Sequence, residues 1–358
     1  MKQYTKKHLV EESGRISWTS PSNIALVKYW GKHGNQLPSN ASISFTLDKA
    51  FTTMDFSWSL KDKISDDVEL HFYFESKKNI QFEEKIKKYL QDNLEAFPFL
   101  KFLAIEIESS NTFPHSAGIA SSASSMSALA LGLCTVENEA LGLDLNEEEI
   151  NSKASFVARL ASGSACRSIF GGVVSWGEST HAKIESTDEK PSVVKELDPV
   201  FLDYCDSILI VDKGEKPVSS RAGHALMNEH PFAEVRFKNA NSNLCSLVDA
   251  MTEGDLAKFC EIVESDALEL HGLMMNSTPS FILMRPNTLS VIEKIRSFRE
   301  RTKLPVCFTL DAGPNVHILY PSSIITEVKE FISNELLDFA QDSTVIHDNV
   351  GEGPQRYL

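Results

Sequence analysis

Three charged residues stand where a charge needs a reason. Lys28 closes an apolar run, Ile24-Ala25-Leu26-Val27, and is followed by Tyr29, Trp30, Gly31 and Lys32. Burying an unpaired ammonium is costly, so a lysine there requires an anionic partner or ligand, unless it snorkels at a strand end. Lys32, taken alone, reads as a solvated turn residue. Arg167 follows the small residues Ser162-Gly163-Ser164 and precedes Gly171-Gly172. Such an arginine suits bidentate capture of a carboxylate or phosphate, and equally the surface end of a helix. Asp311 opens Asp311-Ala312-Gly313-Pro314-Asn315 between two apolar stretches, where the same residues make an ordinary hairpin turn.

Two further stretches could hold anions. From Ser109 to Gly132 the chain reads as a strand end, a turn marked by Pro114 and Gly118, a serine-rich loop and a buried helix. Met126, Leu129, Ala130 and Leu133 share one face of that helix. Small residues before a helix N-terminus let the backbone approach an anion, and free N–H groups with the helix dipole favour phosphate there. Ser121, Ser122, Ser124 and Ser125 add hydroxyls for phosphate oxygens or a magnesium ion. The same composition also serves as the cap of a core helix. There is no Gly-x4-Gly-Lys-Ser/Thr loop and no dinucleotide fingerprint. Ser219, Ser220 and Arg221 form a second candidate anion site at a helix start.

The elements that must position these residues can be read from periodicity. Residues 15–32 contain a strand buried on both faces, with Lys28 on the side of Ile24 and Leu26 if the strand is regular. Residues 40–60 are more strand with a break near Asp48, and 68–74 and 102–108 alternate again. Residues 81–96 carry Phe82, Ile86, Leu90 and Leu94 on one helical stripe. A helix follows Asn146, with acidic residues in its first turn. Residues 180–200 are charged, contain two prolines and form a plausible boundary. A strand at 206–212, helices at 231–251 and 254–273, a helix opened by Pro286, and strands at 306–310 and 316–320 complete the chain.

Composition narrows the class. The 358 residues suffice for a large core and two domains, and 42% hydrophobic with 24% charged residues is ordinary for a globular protein. A net charge of −15 argues against a general nucleic-acid binder, which needs a basic surface. Six scattered cysteines without a CxxC pair read as free thiols in a reducing compartment. No apolar run approaches the roughly 20 residues of a membrane span, and residues 1–14 lack a signal-peptide core. A cytoplasmic protein that engages neither membrane nor nucleic acid is expected.

Taken together, four blocks resemble the GHMP family of small-molecule kinases, and within it the diphosphomevalonate decarboxylases. They are SPSNIALVKYWGK (20–32), FPHSAGIASSASSMSALALGL (113–133), SGSACRSIFGGVVSW (162–176) and FTLDAGPN (308–315), with PVSSRAGH (217–224) as a weaker fifth. The first, third and fourth are particular to the decarboxylase branch. The resemblance implies an α+β chain with the GHMP kinase fold. Residues 1–200 would form a domain like the second domain of ribosomal protein S5, residues 201–358 a ferredoxin-like domain, with the active site between them. It also implies ATP with magnesium, a homodimer, and a reaction. ATP phosphorylates the tertiary 3-hydroxyl of mevalonate 5-diphosphate, and loss of phosphate and carbon dioxide gives isopentenyl diphosphate.

The resemblance also implies roles. Asp311 would be the base for the hydroxyl, Lys28 would hold Asp311 ionised and stabilise developing charge, and Arg167 would grip the substrate carboxylate. Tyr29, Lys32, Ser164, Ser219 and Arg221 are the candidates for the rest of the substrate. Ser116, Gly118, Ser121 and Ser122 would hold ATP, with Ser122 at the magnesium. There are departures from the family pattern. His115 replaces a small residue and Ser125 a Gly or Ala, the fifth block lacks a Gly-Met pair, and Lys85 stands where relatives tend to present an arginine to the diphosphate. The same chemistry on mevalonate 5-phosphate, a 3-kinase that stops after phosphorylation, and a catalytically inactive metabolite sensor are the alternatives.

Overall fold

Two antiparallel-rich sheets share one chain. A computed structural model describes residues 6–114, 119–214 and 220–357. The long strand Ser13–Val27 pairs antiparallel with Ser42–Leu60, whose other edge takes Leu103–Asn111 and, beyond it, Leu70–Phe74 in parallel. Val173–Trp176 pairs with the start of Ser42–Leu60. The first strand is buried through most of its length, as the apolar run requires: Ile16 and Trp18 join the core with the helix Ser121–Leu141, and Ile24, Leu26 and Val27 join the core shared with the second sheet.

The helix Ser121–Leu141 is apolar on nearly every side and lies across the first two long strands. Gly132 permits this close approach: a Cβ there would come within 2.0 Å of the Phe56 ring. The indole N–H of Trp18 donates to Thr135 Oγ1 at 3.1 Å, tying strand to helix. The helix ends at Gly142 in the left-handed conformation that leaves its last carbonyls partnered. Glu147–Ala161 then begins with a reciprocal Asn146–Glu149 capping box, and its three first-turn glutamates complement the dipole.

The second sheet runs in the order Cys307–Leu310, Val316–Tyr320, Cys205–Leu209, Val345–Asn349. Alternation sends Ile208, Cys307 and Leu319 to one face, against the helices Ala233–Glu253 and Leu256–Met275. Leu209, Phe308 and Ile318 go to the other, against Pro286–Thr302 and Phe331. The first of these cores also takes in Ile24, Leu26, Ile43 and Phe45, so the two sheets are joined by shared apolar packing. The tail crosses back: Gln355–Arg356 pairs with the Ser13–Val27 strand.

Three local readings differ from the structure. The first strand stops at Val27, after a register shift between Ala25 and Val27, so Lys28 sits just beyond the ladder rather than on a regular strand face. The break near Asp48 is a gap in pairing inside a continuous strand. There the carboxylate of Asp348 accepts the N–H groups of Asp48, Lys49 and Ala50 at 2.9, 2.8 and 2.7 Å. Residues 81–96 form one helix only over Ile80–Asp92. Among the described residues, no helix is long and apolar enough to cross a membrane.

Candidate active site

Lys28, Arg167 and Asp311 come from three separate segments and meet. Lys28 is 2% exposed, and its Nζ donates to the Ala25 carbonyl at 2.5 Å. Burial pushes its pKa down to about 8; the negative charges of Asp311 and Asp266 oppose this, while Arg167 and Arg236 add to it. Lys28 is therefore a buried lysine facing carboxylates, not a snorkelling one. Asp311 follows the strand Cys307–Leu310, half-buried, in a turn closed by the Gly313 N–H on its own carbonyl at 2.7 Å. Its charge also acts on Arg167 and on His224.

Arg167 lies in the short 3-10 segment Gly163–Ile169 and is 2% exposed, not on a surface helix end. One terminal nitrogen donates to Ser42 Oγ at 2.5 Å and the other to Asn23 Oδ1 at 3.1 Å. Its Nε is buried without a partner. Burial lowers its pKa, with Asp311 acting in the opposite sense. Two anchored nitrogens fix the plane of the guanidinium. The remaining N–H groups are available to a planar anion.

Around these three, Tyr29 is buried with its hydroxyl unpartnered, its ring tilted against those of Trp176 and His224 at 4.7 and 4.3 Å between centroids. Burial raises its pKa above the ordinary range, so it stays a neutral donor. Gly163 packs against that hydroxyl; a Cβ there would lie 2.8 Å from it. Ser164 is half-buried, and its carbonyl accepts from Asn23 Nδ2 at 3.3 Å. Lys32, in the small hairpin after the first strand, donates to Gln36 Oε1 at 2.7 Å, and its charge reaches His224. Lys85 is exposed on the helix Ile80–Asp92, its ammonium 5.6 Å from the Phe82 ring centroid.

The serine stretch divides. Ser124 is buried, sharing a hydrogen bond with Thr52 Oγ1 at 2.7 Å, and Ser125 is buried beside it. Those two hydroxyls are structural rather than ligand-facing. Ser121 is half-buried and Ser122 exposed, in the first turn of a 21-residue helix; Ser122 Oγ lies 3.4 Å from Ser162 Oγ. Ala120 turns into the helix with φ of 38°. A helix start with two accessible hydroxyls fits phosphate oxygens, and hydroxyl oxygen is a donor magnesium accepts. Ser116, Gly118 and Ser219 lie outside the described residues. Arg221 falls in the short helix Ser220–Ala225, and its side chain is likewise outside them.

The structure adds residues that the sequence reading did not single out. Asn23 and Ser42 hold Arg167, and the buried pair Asp266–Arg236 lies against Lys28. His224 is wedged between Tyr29 and Trp30. The available signal was polarity at inward positions of buried strands, as at Asn23 and Ser42.

This α+β architecture, with two sheets around a shared core and a serine-started helix beside a Lys–Arg–Asp cluster, is the GHMP kinase fold. Residues 20–188 match the family described as diphosphomevalonate decarboxylase-like N-terminal domain, and residues 207–352 the mevalonate 5-diphosphate decarboxylase C-terminal domain. The diphosphomevalonate decarboxylase of Ganoderma lucidum is 30% identical over 88% of this chain and 80% of its own length. A solved structure of MDDEF in complex with MVAPP, AMPPCP and magnesium is 29% identical, with a TM-score of 0.79 over 96% of this chain and 99% of its own. Mevalonate diphosphate decarboxylase from Staphylococcus aureus is 28% identical, with a TM-score of 0.81 over 98% of this chain and all of its own. The chain belongs to the diphosphomevalonate decarboxylase family.

Proposed function

We propose that this chain uses ATP to convert mevalonate 5-diphosphate into isopentenyl diphosphate, ADP, phosphate and carbon dioxide. The observation that carries the reading is the convergence of Lys28, Arg167 and Asp311, with Arg167 anchored at two nitrogens and its buried Nε left without a partner. The substrate has a carboxylate two carbons from a tertiary hydroxyl. Hydroxide is a poor leaving group, so the hydroxyl must first become a phosphate ester.

Asp311 accepts the hydroxyl proton as the oxygen takes the phosphoryl group that ATP supplies. Lys28, protonated below about pH 8, balances the charge of Asp311 and of the transferring group. Arg167 fixes the carboxylate so that the breaking C–C bond aligns with the departing phosphate. When the C3–O bond breaks, the electron pair of the C–C bond to the carboxylate forms the new double bond, and carbon dioxide leaves. Tyr29, Lys32, Ser164, Ser219 and Arg221 contact the rest of the substrate. Ser116, Gly118, Ser121 and Ser122 hold the nucleotide phosphates, and magnesium would be held through Ser122 and phosphate oxygens, offsetting their charge.

The reading extends to a homodimer in the cytoplasm, with domains at 1–200 and 201–358. Free cysteines at all six positions, five of them buried, support a reducing compartment. The test supplies ATP-magnesium with mevalonate, its 5-phosphate or its 5-diphosphate, and follows ADP and carbon dioxide together. Equal amounts of both from the diphosphate alone are expected. Both from the monophosphate would move the substrate assignment to that compound, ADP without carbon dioxide would make the chain a 3-kinase, and neither from any substrate would make it a sensor.

A further inference from the structure

One helix touches the backbone of both Lys28 and Asp311. Asp266, buried midway along Leu256–Met275, accepts the Lys28 N–H on Oδ1 at 2.8 Å. Arg236, buried on Ala233–Glu253, donates to Asp266 at 2.7 and 3.1 Å and to the Lys28 carbonyl at 3.1 Å. The pair therefore grips the N–H and the C=O of the same residue, and Asn40 adds a second bond to that carbonyl at 2.9 Å. Five residues along the helix, buried His271 meets the carbonyl of Asp311 through Nε2 at 3.2 Å. A carbonyl only accepts, so Nε2 carries the proton.

Stability alone does not account for this arrangement. A buried ion pair is seldom worth more than apolar side chains of the same shape. Lys28, however, lies past the end of its strand ladder, and its peptide groups need partners that the sheet no longer supplies. The Asp311 turn is likewise outside the ladder. Asp266 and His271 are about 7.5 Å apart along the axis at 1.5 Å per residue. The helix is a rigid spacer between the two segments.

We propose that Asp266, Arg236 and His271 are positioning residues for the reaction, holding the Lys28 ammonium and the Asp311 carboxylate at their working separation from a common helix. The assignment rests on the site reading above. Asp266 also places a fixed negative charge behind Lys28. The charged groups acting on that ammonium are Asp311 and Asp266 on one side of the balance, and Arg167 and Arg236 on the other. Removing the Asp266 charge leaves the two guanidinium groups less opposed.

Three variants test this. His271→Leu removes the donor, whereas His271→Gln returns an N–H to a similar place. The leucine variant is expected to lose kcat on the order of 100-fold, as for a small misplacement of a reacting group, with both KM values held within about twofold. The glutamine variant recovers most of that loss. Wild-type kcat in the leucine variant, or glutamine no better than leucine in folded protein, overturns the role of His271. Asp266→Asn keeps an acceptor for the Lys28 N–H and drops the charge. NMR titration of isotope-labelled lysine in the ligand-free protein is expected to show Lys28 deprotonating at lower pH than in wild type. An unmoved titration in the folded variant overturns the role of Asp266. That readout needs no turnover, so it stands apart from failure of the proposed reaction, which the wild-type product assay reports.

Discussion

Gly31 donates its backbone N–H to Nδ1 of His224 at 3.0 Å. An Nδ1 that accepts is unprotonated, so the neutral ring carries its proton on Nε2. Tyr29 and Trp30 flank the ring at 4.3 and 4.6 Å between centroids. Burial, then the charge of Lys32, depress its pKa to about 3, against the pull of Asp311. Adding the second proton would also break the Gly31 bond. The imidazole is a fixed neutral donor beside the site.

His224 consequently makes the fold less stable in acid. Unfolded histidine binds a proton below about pH 6.5, whereas the folded ring stays neutral down to about 3. Across that window the unfolded state holds more protons, so stability falls as pH falls, by up to about 1.4 kcal/mol per pH unit from this group. Urea unfolding between pH 7 and 4.5 is expected to show a steeper decline in wild type than in His224→Gln, whose amide oxygen can still accept from Gly31. Equal slopes would mean that His224 titrates alike in both states.

Lys28 sets a limit on the alkaline side. Because kcat/KM reports the free enzyme, its alkaline limb is expected near pH 8, where the buried ammonium loses its proton. Lys28→Arg keeps a charge at every accessible pH, so its residual activity, though reduced by the wider head group, should lose that limb. A limb that persists unchanged in Lys28→Arg would assign it to another group.

Arg167 is held by Asn23 and Ser42 as a plane, and the proposal needs the plane as well as the charge. Arg167→Lys is expected to weaken kcat/KM nearly as much as Arg167→Ala, by several kcal/mol, the range for truncating one member of a buried charge pair. A lysine variant close to wild type would show that a point charge suffices.

The fold was largely legible because its segments are strongly periodic. The apolar alternation of Ile24 to Val27, the stripe of Ile86 and Leu90, and the acidic first turn after Asn146 each announced an element that exists. The ends were less legible, since they depend on pairing partners far along the chain. Nothing near Asp48 says that Asp348, 300 residues away, will take its N–H. Within the candidate site, Lys28, Arg167 and Asp311 stood out because a charge among apolar or small residues is costly. Asn23, Ser42, Asp266 and His271 did not. Each is an ordinary residue in a strand or helix, and becomes distinctive only when the fold brings Arg167, Lys28 or Asp311 beside it. The same limit applies to the serines: four hydroxyls within five residues look equivalent, and only the docking of the helix on Thr52 separates Ser124 from Ser122.

The proposed base can be separated from the binding site by one atom. Asp311→Asn preserves the size of the side chain, and the bonds from His271 Nε2 and Gly313 N–H go to the residue 311 carbonyl, so the turn should survive. The amide cannot take up the hydroxyl proton. It also removes one of the two carboxylates that oppose deprotonation of Lys28, so the variant's ammonium should titrate lower than in wild type. Calorimetry below pH 7, where Lys28 remains largely charged, is expected to find nucleotide and substrate binding retained, while turnover falls by about 100-fold or more, the contribution of a positioned general base. Normal turnover in that variant would remove Asp311 from the chemistry. Loss of binding with the fold intact would instead make its charge a part of the binding site, with Lys28 left to act on the phosphoryl group alone.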